Sequence, residues 1–231
     1  MAGNLNYTWR PRGSQFQSLF FGMDWERFDD SGGNLQSESL SITPLELTWK
    51  AGDGVFVRSN FSTEVLDRPF EINPGVIIPV GSYDFENHGI EFRSASFRKL
   101  SGRLAIIDGT FYSGNQSKVF GSVTWQPSPK IKTNVGFNVS SNTLVEGKFI
   151  TRLLTAGFDY IFSNTLSWVN LVQYDNVSET MGINMRLNWI PVAGQEFFFV
   201  INHNMEDYDR DNRFHTAAST VTAKMSYTFR Y

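Results

Sequence analysis

The last dozen residues constrain the fold of this chain most. Val221, Ala223, Met225, Tyr227, Phe229 and Tyr231 occupy one parity, and Thr220, Thr222, Lys224, Ser226, Thr228 and Arg230 occupy the other. Strict alternation over that length marks a strand with one apolar and one polar face. It also approaches the roughly 9–11 residues that a tilted membrane-spanning strand needs. The pattern recurs upstream. Met181, Ile183, Met185, Leu187 and Trp189 alternate with Gly182, Asn184, Arg186 and Asn188. Ile131, Thr133, Val135, Phe137 and Val139 alternate with Lys132, Asn134, Gly136 and Asn138. No helical period persists. The longest apolar run, Phe197 to Ile201, falls far short of the roughly 20 residues of a membrane helix.

The alternation predicts about thirteen strands, at 4–10, 15–29, 35–50, 54–66, 87–99, 102–113, 117–126, 130–140, 149–162, 165–176, 180–190, 195–205 and 219–231. Pro44 interrupts the third. Leu40 and Ile42 lie on one parity, and Leu45, Leu47 and Trp49 on the other, as a bulge at a residue without an N–H produces.

Hydrophobic residues make up 41% of the chain, a modest share that suits a barrel because lipid-facing and interior residues alternate. With no cysteine, a disulfide scaffold, a thiol nucleophile and thiolate metal sites are excluded. The 20 basic residues are scattered and the net charge is −3, so no basic stripe points to nucleic acid. The opening residues Met1 to Tyr7 lack the basic and apolar regions of a signal peptide. Export, which an outer-membrane protein needs, is therefore expected to depend on a leader removed earlier or on upstream sequence.

If the last strand ends on the periplasmic side, one set of connections is short: 11–14, 51–53, 100–101, 127–129, 163–164 and 191–194. The other set holds the long stretches 67–86, 141–148 and 206–218. Short periplasmic turns and longer outer loops are the habit of membrane barrels. Trp9, Trp49, Trp125, Trp168 and Trp189 all fall near the short set, as an interface belt would, and only Trp25 falls near the other end. An odd strand number leaves the first and last strands parallel, whereas bacterial single-chain barrels close with an even number. Either the count is off by one or strands lie upstream. The second is the expectation, so 1–231 reads as one barrel domain and as a C-terminal portion.

Several stretches also carry a family resemblance. They are Pro69-Phe70-Glu71-Ile72, Pro74-Gly75-Val76-Ile77-Ile78-Pro79, Gly81-Ser82-Tyr83-Asp84-Phe85, Gly109-Thr110-Phe111-Tyr112-Ser113-Gly114, Leu171-Val172-Gln173-Tyr174-Asp175, Asn184-Met185-Arg186-Leu187-Asn188-Trp189 and Phe199-Val200-Ile201-Asn202. In order and spacing they resemble the C-terminal barrel region of a large outer-membrane family of unknown function. Its members carry an N-terminal family-9-like carbohydrate-binding domain. The resemblance covers roughly residues 60–231 and more weakly 1–60. It implies saccharides as partners through an upstream module, and it assigns sugar binding to no residue of this chain. Tyr227, Phe229 and Tyr231 resemble the terminal signal read by barrel-assembly machinery.

Catalytic and metal signals are sparse. His203 shares a parity with Phe197, Phe199 and Ile201 and reads as a rim residue or as a base in search of a partner. His88 and His215 read as solvated, in or beside loops. Asp207, Asp209 and Asp211 open like a calcium loop, but Asn212 replaces the glycine and Ala218 the bidentate acid. A solvated acidic loop is the other reading. No phosphate loop or zinc spacing is present.

The sequence thus predicts an all-β, antiparallel transmembrane β-barrel of about 12–16 strands when complete, in the cell outer membrane, with lipid and the assembly machinery as partners and no metal or cofactor. Asn184, Arg186, Asn188, Thr222, Lys224 and Arg230 are expected to line a lumen, either as a polar path or as a hydrogen-bonded interior. The expected function is channel, transporter or anchor in saccharide handling. An outer-membrane hydrolase with a loop-borne site and a soluble β-rich binding protein are the alternatives.

Overall fold

The computed structural model describes residues 1–211 and 213–228. It is all-β. Its strands are β1 (Ala2–Trp9), β2 (Phe16–Asp29), β3 (Leu35–Trp49), β4 (Gly54–Leu66), β5 (Phe70–Asn73), β6 (Val76–Ile78), β7 (Gly81–Arg93), β8 (Leu100–Phe111), β9 (Gly114–Ser128), β10 (Ile131–Thr143), β11 (Lys148–Ser163), β12 (Leu166–Asp175), β13 (Thr180–Trp189), β14 (Gln195–Glu206) and β15 (His215–Tyr227). Thirteen of them form one antiparallel sheet in sequence order, with β4 beside β7; β5 and β6 pair separately. Among the described residues no helix is long and apolar enough to cross a membrane.

The chain divides into two units. The first comprises Met1–Ser96, Gly102–Gly121 and Val139–Ile150, and the second comprises Phe97–Ser101, Ser122–Asn138 and Thr151–Tyr231. In the first, cross-strand register builds rows of like character. Trp9, Leu19, Leu47, Val55, Phe92 and Leu104 pair in succession from β1 to β8. On the opposite face Asn4, Asp24, Ser41, Asn60, Asn87 and Gly109 do the same. Side chains alternate faces along a strand, so the sequence alternation becomes an apolar face and a polar face. Gly109 is required at its place in the polar row, because a Cβ there would lie 2.1 Å from the Glu86 carbonyl oxygen. The expected bulge is present: register shifts between Ile42 and Leu45, so Ile42 faces Ser59 and Leu45 faces Val57.

In the second unit the apolar rows are Trp168–Leu187–Phe199–Ala223 and Asn170–Met185–Ile201–Val221. Only the asparagine departs from their character. The intervening parity holds Asn184, Asn202 and Thr220 in one row, and Arg186, Val200 and Thr222 in the next.

Several boundaries differ from expectation. The strand read at 87–99 is β7, Gly81–Arg93, and residues 94–99 form its connection to β8, which starts at the expected turn Leu100-Ser101. The Ser94 N–H donates to the Gly102 carbonyl at 2.8 Å, and the Ala95 N–H donates to Asp53 Oδ1 at 3.1 Å. These contacts pull the chain out of the sheet, so Phe97 is 79% exposed. The connection read at 141–148 shrinks to 144–147, because β10 and β11 extend into it. β15 begins at His215, which pairs with Glu206, so the loop read at 206–218 is only 207–214. The division into short and long connections therefore holds only in part. The two longest stretches, 67–80 and 207–214, belong to the set expected to be long, but in that same set Tyr112 and Ser113 alone join β8 to β9.

The largest difference lies within 67–86, expected as an outer loop. It contains the β5–β6 hairpin, turned at Gly75, whose φ is +77° and whose N–H donates to Glu71 Oε1 at 2.9 Å. Val76, Ile78 and Leu144 form a buried cluster against Leu66, Ile72, Tyr83, Phe111, Tyr112 and Phe149. Tyr83 lies on the parity of Phe85, Asn87 and Glu91, so the hairpin packs over the polar face of the first unit at the end near Tyr112.

Candidate functional site

The polar face holds most of the groups with chemistry to offer. In the second unit the structure places Asn184, Arg186, Asn188, Thr222 and Lys224 on one face, as expected from the sequence. β14 lies between β13 and β15, so Val200 separates Arg186 from Thr222, and Phe198 separates Asn188 from Lys224. The Asn184 amide donates to Asn202 Oδ1. Arg230, Phe229 and Tyr231 lie outside the described residues. Tyr227 ends β15, opposite Gln195.

The tryptophans sit at strand ends. In the first unit Trp9 closes β1 and Trp49 closes β3, with Trp49 6.0 Å from the Phe16 ring. In the second, Trp125, Trp168 and Trp189 lie beside the connections at 129–130, 164–165 and 190–194. Trp189 packs 5.2 Å from Phe197 and Trp168 packs 6.1 Å from Phe158.

The polar face of the first unit encloses a cavity of about 370 Å³ that the sequence reading did not anticipate. Arg58 of β4 and Lys118 of β9 reach it, although β7 and β8 separate their strands. Gly89, cross-strand from Arg58, leaves its floor without a side chain. Ser41 donates to Asn60 Oδ1 at 2.7 Å on one wall. Gln116 donates to Asn142 at 2.7 Å on another. Nearer the hairpin, Tyr112 donates to Glu64 Oε2 at 3.2 Å. Burial first, and then the charge of Glu64, push the Tyr112 phenol up to about 12. It therefore stays neutral while an unfolded tyrosine ionises near ~10. Whatever stability this confers is present below that value and lost as pH rises from about 10 towards 12.

A second cavity, of about 590 Å³, opens on the opposite face between Trp25, Leu40, Phe61, Asp84 and Glu86. His88, expected in or beside a loop, stands beside this cavity within β7. Its Nδ1 lies 2.9 Å from Ser59 Oγ and its Nε2 3.1 Å from Glu86 Oε1. Nothing local announces this trio, because Ser59 becomes a neighbour only through β4–β7 pairing. His215 sits at the start of β15 and His203 faces Ser219. At the acidic stretch, Asp207 is buried and its Oδ1 accepts the Asp211 N–H at 3.1 Å. Asn212 lies outside the described residues. Among those described, no three His, Asp or Glu side chains converge to hold an ion.

No family model matches the chain, and no curated protein matches it.

Proposed function

We propose that these strands belong to an outer-membrane β-barrel, with the apolar face against lipid and the polar face along a path or pocket for solutes, in saccharide handling. The observation that carries this reading is the inversion of burial. Phe92 is 51% exposed and Ile106 50%, while Glu91, Ser140 and Asn142 on the opposite parity are buried. Contiguous exposed apolar surface beyond a few hundred Å² signals a membrane or a partner. Strands cross lipid only when their backbone groups are paired, as in a closed sheet. The tryptophans at strand ends fit a headgroup belt, and the resemblance to an outer-membrane family points the same way. Lipid and the barrel-assembly machinery follow as partners.

Cell fractionation followed by planar-bilayer recording tests the reading. The expected result is recovery in the outer membrane, extraction only with detergent, and step conductances after reconstitution. A monodisperse species in buffer without detergent sinks it in favour of a soluble β-rich protein.

Ser59, His88 and Glu86 favour a second reading, ester hydrolysis at the apolar face. A hydroxyl, an imidazole and a carboxylate in hydrogen-bonded sequence are the parts of a nucleophile relay. Against it, Ser59 and His88 lie in the middle of paired strands, and the Glu86 N–H is taken by the Thr110 hydroxyl at 2.7 Å, whereas an oxyanion needs donors aimed at it. The same preparation distinguishes the two: ester turnover that vanishes in Ser59→Ala supports hydrolysis, and turnover indistinguishable from Ser59→Ala removes it.

A further inference from the structure

Resting on the solute-path reading, we propose that the cavity between Arg58 and Lys118 binds an acidic saccharide, a sugar bearing carboxylate or sulfate. Two cations meet in one cavity there, and among the described residues neither is ion-paired. Arg58 lies 6.0 Å from the Phe56 ring, and Lys118 lies 5.9 Å from the Phe120 ring. No carboxylate lines the cavity. On the same face Asp24 lies across from Ser41 and Glu46 across from Phe56, both outside it, and Glu91 is held by Arg93 at 2.6 Å. Two cations lining one cavity with no carboxylate among them favour an anion as its occupant.

The remaining lining favours a sugar over a bare inorganic ion. Asn60, Asn87 and Gln116 present amides, and Ser41 and Thr43 present hydroxyls. Such groups exchange hydrogen bonds with sugar hydroxyls, while a guanidinium takes a carboxylate through paired N–H donors. Small-molecule pockets run from roughly 300 Å³ upwards, so about 370 Å³ accommodates one or two sugar rings. Cations along a path also favour anions over cations in passage.

Titration calorimetry on the detergent-solubilised full chain tests this, with digalacturonate as the acidic probe and maltose as the neutral control. Digalacturonate is expected to bind at least about tenfold more tightly than maltose, and added salt to weaken it selectively. Arg58→Gln and Lys118→Gln are each expected to weaken digalacturonate about tenfold and to leave maltose unchanged, with Arg58→Lys recovering part of the loss. Equal affinity for the two sugars, or undiminished acid binding in the double Gln variant, overturns the site. Circular dichroism checks that each variant folds, and if Arg58→Gln does not, Lys118→Gln alone decides. Acid binding without bilayer conductance overturns the path and leaves the site standing. Conductance without acid preference overturns the site and leaves the path.

Discussion

Leu187→Arg is expected to impair assembly into membrane, while Asn188→Arg, one residue along β13, assembles at the parental level. Leu187 is 38% exposed and lies between Trp168 and Phe199 in an apolar row. Asn188 lies on the other face, between Ser167 and Phe198. Its Oδ1 accepts no hydrogen bond, so replacing it leaves no donor without that acceptor. A lipid-facing arginine costs roughly 2–4 kcal/mol at the bilayer midplane and falls to about 0–1 near the interface. Leu187 lies one row in from Trp189, which places it towards the smaller figure. Met185→Arg, one row deeper beside Ile201, belongs towards the larger. Folding yield into lipid vesicles measured across a urea series reads the gradient. Equal penalties for Met185, Leu187 and Asn188 abolish the face assignment, and with it the inversion of burial on which the membrane reading rests.

The strands were legible because period-2 alternation is a property of a short window. β13 was expected at 180–190 and runs Thr180–Trp189. The bulge at Pro44 was legible for the same reason, since one added residue exchanges parity on either side of it. What was missed depends on contacts between residues far apart in sequence. In the segment 94–99, Ala95 and Phe97 alternate with Ser94, Ser96 and Arg98 as a strand would, and it leaves the sheet where the Ala95 N–H turns to the distant Asp53. Residues 67–86 read as a loop, and nothing local says that Ile78 will be buried by Leu144 and Phe149. The candidate site follows the same division. Asn184, Arg186 and Asn188 share a face because they share a strand, whereas the interposition of Phe198 and Val200 required the pairing of β14. Arg58 and Lys118 could not be linked from the sequence, because their convergence needs β4 to pair with β7 across the hairpin.

That hairpin supplies the second large effect. Ile78 is fully buried and Ile77 is 54% exposed, so adjacent isoleucines place the same side chain in opposite surroundings. Truncating a well-packed isoleucine to alanine costs about 2–5 kcal/mol, through lost transfer energy and the cavity left behind. Ile78→Ala is therefore expected to release β5 and β6 from Leu66, Tyr83 and Phe149, and Ile77→Ala to leave them docked. Amide hydrogen exchange reads this locally. Protection at Phe70–Ile78 should fall about 30-fold or more in Ile78→Ala, with β12 and β13 unchanged. Equal protection in the two variants means that the hairpin is held by its turn and not by its core. The result also bears on passage. The hairpin packs over the polar face, so if solutes travel along that face, its release raises single-channel conductance in Ile78→Ala and not in Ile77→Ala. Undocking without any change in conductance would place the path elsewhere on the sheet.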